Sequence, residues 1–164
     1  MSTAPGSIRN QRRVGVIGGN TPDPNSMEIA EEMGRLIAQN GHILLNGGMR
    51  GVMEASAKGA KSAGGLVMAI LPGKNKHEAN PHVDIPISTG LGLMRNALVV
   101  LNSDVLVAID GRYGTLSEIA YARIYDKPVF GLGTWDIEGV LPLSGPAAAM
   151  EKINAYFEAN PEVR

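Results

Sequence analysis

Asp104-Val105-Leu106-Val107-Ala108-Ile109, then Asp110-Gly111-Arg112-Tyr113-Gly114-Thr115, then Leu116-Ser117-Glu118, is the stretch on which the fold turns. The first segment reads as a buried strand, the second as a glycine turn and the third as the opening of a helix. A strand that breaks through glycines into a helix directs unpaired backbone N–H groups, backed by the helix dipole, at one point in space. That point suits a phosphate. Arg95 lies one helix earlier, so the strand between can bring its guanidinium and the Glu118 carboxyl to the same rim.

Outward from this stretch the chain repeats one pattern. Val14-Gly15-Val16-Ile17, bounded by Gly18-Gly19, is a first parallel strand. Asn25 reads as the N-cap of the next helix, with Glu28 three residues on and an apolar stripe of Ile29, Met33, Leu36 and Ile37 before Gly41. His42 to Asn46 is a second strand, breaking at Gly47-Gly48 into a helix from Gly51 to about Ala63. Leu66 to Leu71 is a third strand, Ile85-Pro86-Ile87 a short fourth, and Pro128 to Leu132 a sixth. Residues 73–82 are polar and patternless, as suits a mobile flap beside a site. The helix carrying Arg95 begins near Leu93, and Leu98 to Leu101 make it apolar nearly all round, which points to burial in the core or, the favoured reading, at a subunit interface. A last helix, with Pro146 in its first turn, reaches about Phe157. The expectation is one α/β domain over 13–164, a doubly wound, mainly parallel sheet with helices on both faces, after a flexible arm at 1–12.

Composition excludes several functions. Fifteen Lys+Arg against sixteen Asp+Glu give a net charge of −1, so no global field argues for nucleic acid or an anionic membrane. The absence of cysteine removes disulfides, thiolate chemistry and cysteine zinc sites, and no apolar run reaches the roughly 18 residues of a membrane span. A soluble cytoplasmic protein is expected. His42, His77 and His82 show no metal-ligand spacing, so no metal site is expected.

Doubly wound sheets bind ligands at the carboxyl ends of their strands, where strand order reverses. Four glycine-bearing strand ends meet that edge: Gly18-Gly19-Asn20, Asn46-Gly47-Gly48 continuing into Met49, Ser88-Thr89-Gly90, and Gly111 to Thr115. Together they point to a small phosphorylated ligand. A dinucleotide fingerprint is missing, because the glycines are Gly15, Gly18 and Gly19 and the second strand ends in Asn46 rather than an acid. Gly73-Lys74-Asn75 is only a fragment of a P-loop. Two structural readings stand beside the functional one. Thr115 and Glu118 fit a capping box in which the glutamate caps its own helix, and Arg95 could pair with Asp110 or Glu118 across an interface.

At these residues the chain resembles the LONELY GUY (LOG) and DprA/Smf-related Rossmann superfamily. The likeness is carried by Gly47-Gly48-Met49-Arg50-Gly51-Val52-Met53, by Arg95, and by Asp110-Gly111-Arg112-Tyr113-Gly114-Thr115-Leu116-Ser117-Glu118. The family motif in the last position is Pro-Gly-Gly-x-Gly-Thr-x-x-Glu. In LOG enzymes the matching arginine and glutamate cleave the N-glycosidic bond of a nucleoside 5′-monophosphate, which would make Arg95 and Glu118 catalytic, with an ionised Glu118 stabilising positive charge on the ribose. Here Asp110 replaces the proline and Arg112 the second glycine. Within the superfamily the chain is most similar to molybdenum cofactor carrier proteins, through Gly51-Val52-Met53-Glu54-Ala55, Ile70-Leu71-Pro72-Gly73, Val83 to Ile87, Thr89-Gly90-Leu91-Gly92 and Leu132-Gly133-Thr134. That likeness implies a binding protein whose cargo is the molybdenum cofactor (molybdopterin), held by Gly47, Gly48, Gly111, Gly114 and Thr115 with Arg95 and Arg112 adding charge. It also implies a homo-oligomer, a dimer or tetramer.

Overall fold

The computed structural model describes residues 8–163. Strands β1 (Arg13–Gly18), β2 (Ile43–Asn46), β3 (Val67–Leu71), β4 (Ile85–Ser88), β5 (Val105–Ile109), β6 (Val129–Leu132) and β7 (Val140–Pro142) form one sheet. Five helices connect or flank them: α1 (Pro24–Gln39), α2 (Val52–Ser62), α3 (Asn96–Leu101), α4 (Tyr113–Ile124) and α5 (Pro146–Ala159). The order is β4-β3-β2-β1-β5-β6-β7, with every neighbouring pair parallel. The chain builds outward from β1 in one direction, then returns to β5 on its other side. Strand order therefore reverses between β1 and β5, which pair from Val14 with Val105 to Gly18 with Ile109.

Strands covered on both faces become continuously apolar. All five residues of β5 and all four of β2 are buried. One core lies between the sheet and α1, α2 and α5, around Met33, Ile37, Val107 and Ile153. The other lies under α3 and α4, around Ile17, Leu106, Val99 and Ile119. No helix among the described residues is long and apolar enough to cross a membrane.

Several expectations are corrected. The N-cap of α1 is Asp23 rather than Asn25: its carboxylate accepts from the Ser26 N–H at 2.9 Å, and Pro24 takes the first turn. The Arg95 helix is split into a 3-10 turn (Gly92–Arg95) and the short α3. Val99 and Val100 on it are buried, whereas Leu93, Met94 and Leu101 are exposed. The sheet has a seventh strand, β7, whose three residues end in proline and are too short for periodicity to reveal. Residues 1–7 of the expected arm lie outside the described residues, and Ile8–Asn10 form a 3-10 turn. The 73–82 loop contains a 3-10 turn (Lys76–Glu78) and is tied down by Asn80, whose N–H donates to Gly48 O at 2.8 Å and whose Nδ2 donates to Met49 O at 2.9 Å.

Two glycines far from the strand ends set the α1/α2 packing. A Cβ on Gly34 would stand 1.9 Å from the carbonyl oxygen of Ser56, and one on Gly59 would stand 1.8 Å from that of Glu31. The two helices touch backbone to backbone there. Gly34→Ala is expected to destabilise the fold by roughly 1–3 kcal/mol, despite the better helix propensity of alanine. Urea unfolding checks this, and an unchanged midpoint would refute the close-contact account.

Candidate functional site

At the β1/β5 switch point the structure has an open cleft of about 280 Å³. Its floor is apolar, formed by Val16, Ile17 and Met53, and its walls come from the ends of β1 and β5, the turn after β2, the Arg95 turn and the start of α4.

The β5 exit decides the shape of the α4 wall. Asp110 adopts φ 51° and Gly111 φ 108°, so the chain turns through left-handed backbone before entering the helix. Aspartate tolerates that region; proline, locked near φ −65°, cannot enter it. The loop therefore has a different path from one beginning with the proline of the LOG motif. It is braced from the far side, where Thr134 Oγ1 donates to Asp110 O at 2.6 Å and Trp135 Nε1 donates to Arg112 O at 3.2 Å. Helix α4 begins at Tyr113, two residues before Thr115, with Arg112 as its cap. Thr115 thus lies inside the first turn and Glu118 a full turn beyond it, so the capping-box reading of Glu118 falls. Among the described residues no acceptor meets the N–H groups of Tyr113, Gly114 and Thr115, and Gly114 and Thr115 line the cleft.

The turn after β2 is held by Asn46, fully buried. Its Nδ2 donates to Met53 O at 2.9 Å, and its Oδ1 accepts from the Gly48 N–H at 2.8 Å. Where a dinucleotide enzyme uses an acid, this chain uses an amide to shape its own backbone. The turn presents Gly47 O to Arg95, whose Nη2 donates to it at 3.3 Å, while Nη1 donates to Asn96 Oδ1. A Cβ on Gly47 would stand 2.5 Å from Arg95 Nη2 and 2.8 Å from Met53 Sδ, so a larger residue there would displace the guanidinium and the Met53 side chain. Asn96 Nδ2 in turn donates to Ser117 Oγ at 3.1 Å and, at 3.5 Å, to Gly114 O, tying the Arg95 turn to α4.

Glu118 is 7% exposed and lines the cleft. Among the described residues it has no hydrogen bond, and no ion pair within 4.0 Å joins it to Arg95. Burial pushes its carboxyl up to about 8, with the Arg95 charge opposing only in part. Burial likewise lowers Arg95, against the pull of Glu118, and leaves its Nε without a partner. At neutral pH Glu118 is mostly protonated, contrary to the ionised carboxylate expected for ribose chemistry.

Of the residues expected at the site, the structure brings Gly18, Gly19, Asn20, Gly47, Arg95, Arg112, Gly114, Thr115 and Glu118 into this cleft. Gly48, Met49, Thr89, Gly90, Gly111 and Tyr113 do not line it. Gly48 faces Leu71 and Ala69, and Gly111 is packed against the Thr115 side chain. Met49 borders a separate hollow with Arg50 and Asn80. Thr89 donates to Leu71 O at 2.7 Å, and it follows the edge strand β4, three strands from β1. Tyr113 turns outward at 80% exposure toward Trp135. Asn96 was missed; its signal was one amide at the head of an otherwise apolar helix.

Fold and cleft together define a doubly wound α/β protein with a polar cleft at its switch point, and the chain belongs to the SLOG cluster4 family, which its residues 11–156 match. It is 52% identical over 120 residues to a protein of Archaeoglobus fulgidus, covering 73% of this chain and 79% of that one. It is 31% identical, over 68% of its length, to a LOG-family protein of Oryza sativa subsp. japonica named a probable cytokinin riboside 5′-monophosphate phosphoribohydrolase, of which it spans 52%. Among solved structures it is similar to the molybdenum cofactor binding protein of Rippkaea orientalis, with 39% identity, TM-score 0.86 and coverage of 90% of this chain and 98% of that one. The molybdenum cofactor carrier protein of Chlamydomonas reinhardtii follows at 37% identity and TM-score 0.84, covering 90% and 99%. The DNA processing protein A of Helicobacter pylori, at 20% identity and TM-score 0.72, shares the fold. The superfamily resemblance read from the sequence therefore holds.

The Glu118 environment has a measurable consequence. A carboxyl raised above its ordinary 4.5 in the folded state stabilises the fold below that value and loses the contribution as pH climbs toward about 8. Glu118→Gln removes the group that titrates. Urea unfolding should find the variant equal to the parent near pH 5 and more stable by a few kcal/mol at pH 9; parallel stability curves would contradict the buried, partnerless carboxyl.

Proposed function

We propose that the chain binds a small phosphorylated ligand in this cleft and acts as a carrier, its cargo a pterin of the molybdenum cofactor type. The observation that carries the reading is the open first turn of α4: N–H groups of Gly114 and Thr115 without protein acceptors, in a cleft that Arg95 and Arg112 also line. The residues fit such a cargo at its phosphate. The cleft, at the small end of ligand sites, takes the anionic part while the rest of the molecule extends over exposed Leu93. Similarity over nearly the whole length of two molybdenum cofactor proteins supports the pterin. A cytoplasmic setting accords with the cysteine-free chain.

The second reading, a nucleoside 5′-monophosphate phosphoribohydrolase, is supported by the meeting of Arg95 and Glu118 in one cleft and by the rice relative. Against it stand the left-handed Asp110 and the protonated Glu118. Incubation with AMP separates the two. The carrier reading expects no adenine or ribose 5-phosphate, a melting temperature raised by phosphate or AMP, and a several-fold weaker anion affinity in Arg112→Ala. Adenine release abolished by Glu118→Gln would defeat it, as would the failure of every phosphate compound to stabilise the fold.

Leu91 just before the Arg95 turn, Met94 within it and Leu101 of α3 are exposed apolar residues that do not line the cleft. Covering them with a second copy would make the protein a homo-oligomer. Light scattering at micromolar concentration should give a multiple of the 17.3 kDa chain; a monomer would refute this.

A further inference from the structure

Resting on the anion-binding reading above, we propose that Glu118 enters the bound complex as a neutral carboxylic acid donating a hydrogen bond to the ligand, so that each ligand bound keeps one proton on the protein. The nearly buried Glu118 side chain lines the cleft beside the apolar Val16, Ile17 and Met53, and no protein group among the described residues hydrogen-bonds to it. Arg95 does not neutralise it, because the guanidinium donates to Gly47 O and Asn96 Oδ1 and forms no ion pair with it.

The charged groups facing Glu118 across the cleft are Arg95 from the 3-10 turn, Asp110 from the end of β5 and Arg112 from the cap of α4; β1, α1 and α2 contribute no titratable side chain to its lining. With Glu118 ionised, two arginines face two carboxylates and the side chains offer an anion no net attraction. With Glu118 neutral, two positive charges face one negative, and the acid becomes a donor beside the N–H groups of α4. A phosphate oxygen is the acceptor that such a donor set lacks. Burial already raises the carboxyl, and an incoming anion acts in the same direction. The ligand is thus held at neutral pH and loosened as pH rises.

Sulfate is the direct probe, since its charge does not change between pH 6 and pH 9, and guanidinium groups do not titrate there. With the full chain, the sulfate Kd is expected to rise about tenfold from pH 6 to pH 9. Calorimetry in two buffers of different ionisation enthalpy should show close to one proton taken up per sulfate at pH 9. Glu118→Gln should bind sulfate with a Kd that does not move with pH; if that variant fails to fold, the proton count on the parent chain decides. Sulfate binding with a flat pH profile and no proton uptake overturns the neutral-acid role and leaves the anion site standing. Failure of sulfate, phosphate and AMP to bind at any pH overturns both.

Discussion

A guanidinium shut in at 7% exposure must find acceptors, since a charge stranded in a low-dielectric interior costs several kcal/mol. Arg95 finds two, the Gly47 carbonyl and the Asn96 amide oxygen. Each imposes a further condition. In this arrangement the guanidinium takes the place a Gly47 Cβ would occupy, and the turn is held in place by Asn46 from inside. The amide is fixed only because its nitrogen is tied to Ser117 and Gly114. Satisfying one buried cation thus locks the turn after β2, the 3-10 turn before α3 and the first turn of α4 into one rim.

What the sequence revealed of this arrangement follows from which forces are local. The buried strands were legible because parallel strands covered on both faces must be largely apolar, as β5 is throughout and β1 and β2 are apart from Arg13 and Asn46 at their ends. Gly18, Gly47 and Gly114 were legible as strand-end or loop glycines, and Arg95 and Glu118 through their spacing around β5. The start of α4 was not. Thr115-x-x-Glu118 is a sound local capping signal, but the Asp110-Gly111 turn and the bonds from Thr134 and Trp135 start the helix earlier, and those contacts cross more than twenty residues of sequence. Thr89 and Gly90 share the pattern of the other glycine ends, yet strand order places them at the sheet's edge, and no single segment encodes strand order. Gly34 and Gly59 interrupt helices for a reason visible only in the facing helix.

The same network bears on carriage against hydrolysis. Cleaving an N-glycosidic bond develops positive charge on the sugar, and a carboxylate helps by being ionised where that charge appears. Glu118 could be kept ionised in this cleft by a hydrogen-bonded guanidinium, and the nearest candidate is Arg95. Asn96 directs that guanidinium elsewhere by accepting from Nη1, while Gly47 O takes Nη2. The residue that fixes the arginine is therefore also one that leaves the glutamate without an ionic partner. In this chain the way the arginine divides its donors between the backbone and an amide decides that the carboxyl beside it has no ionic partner.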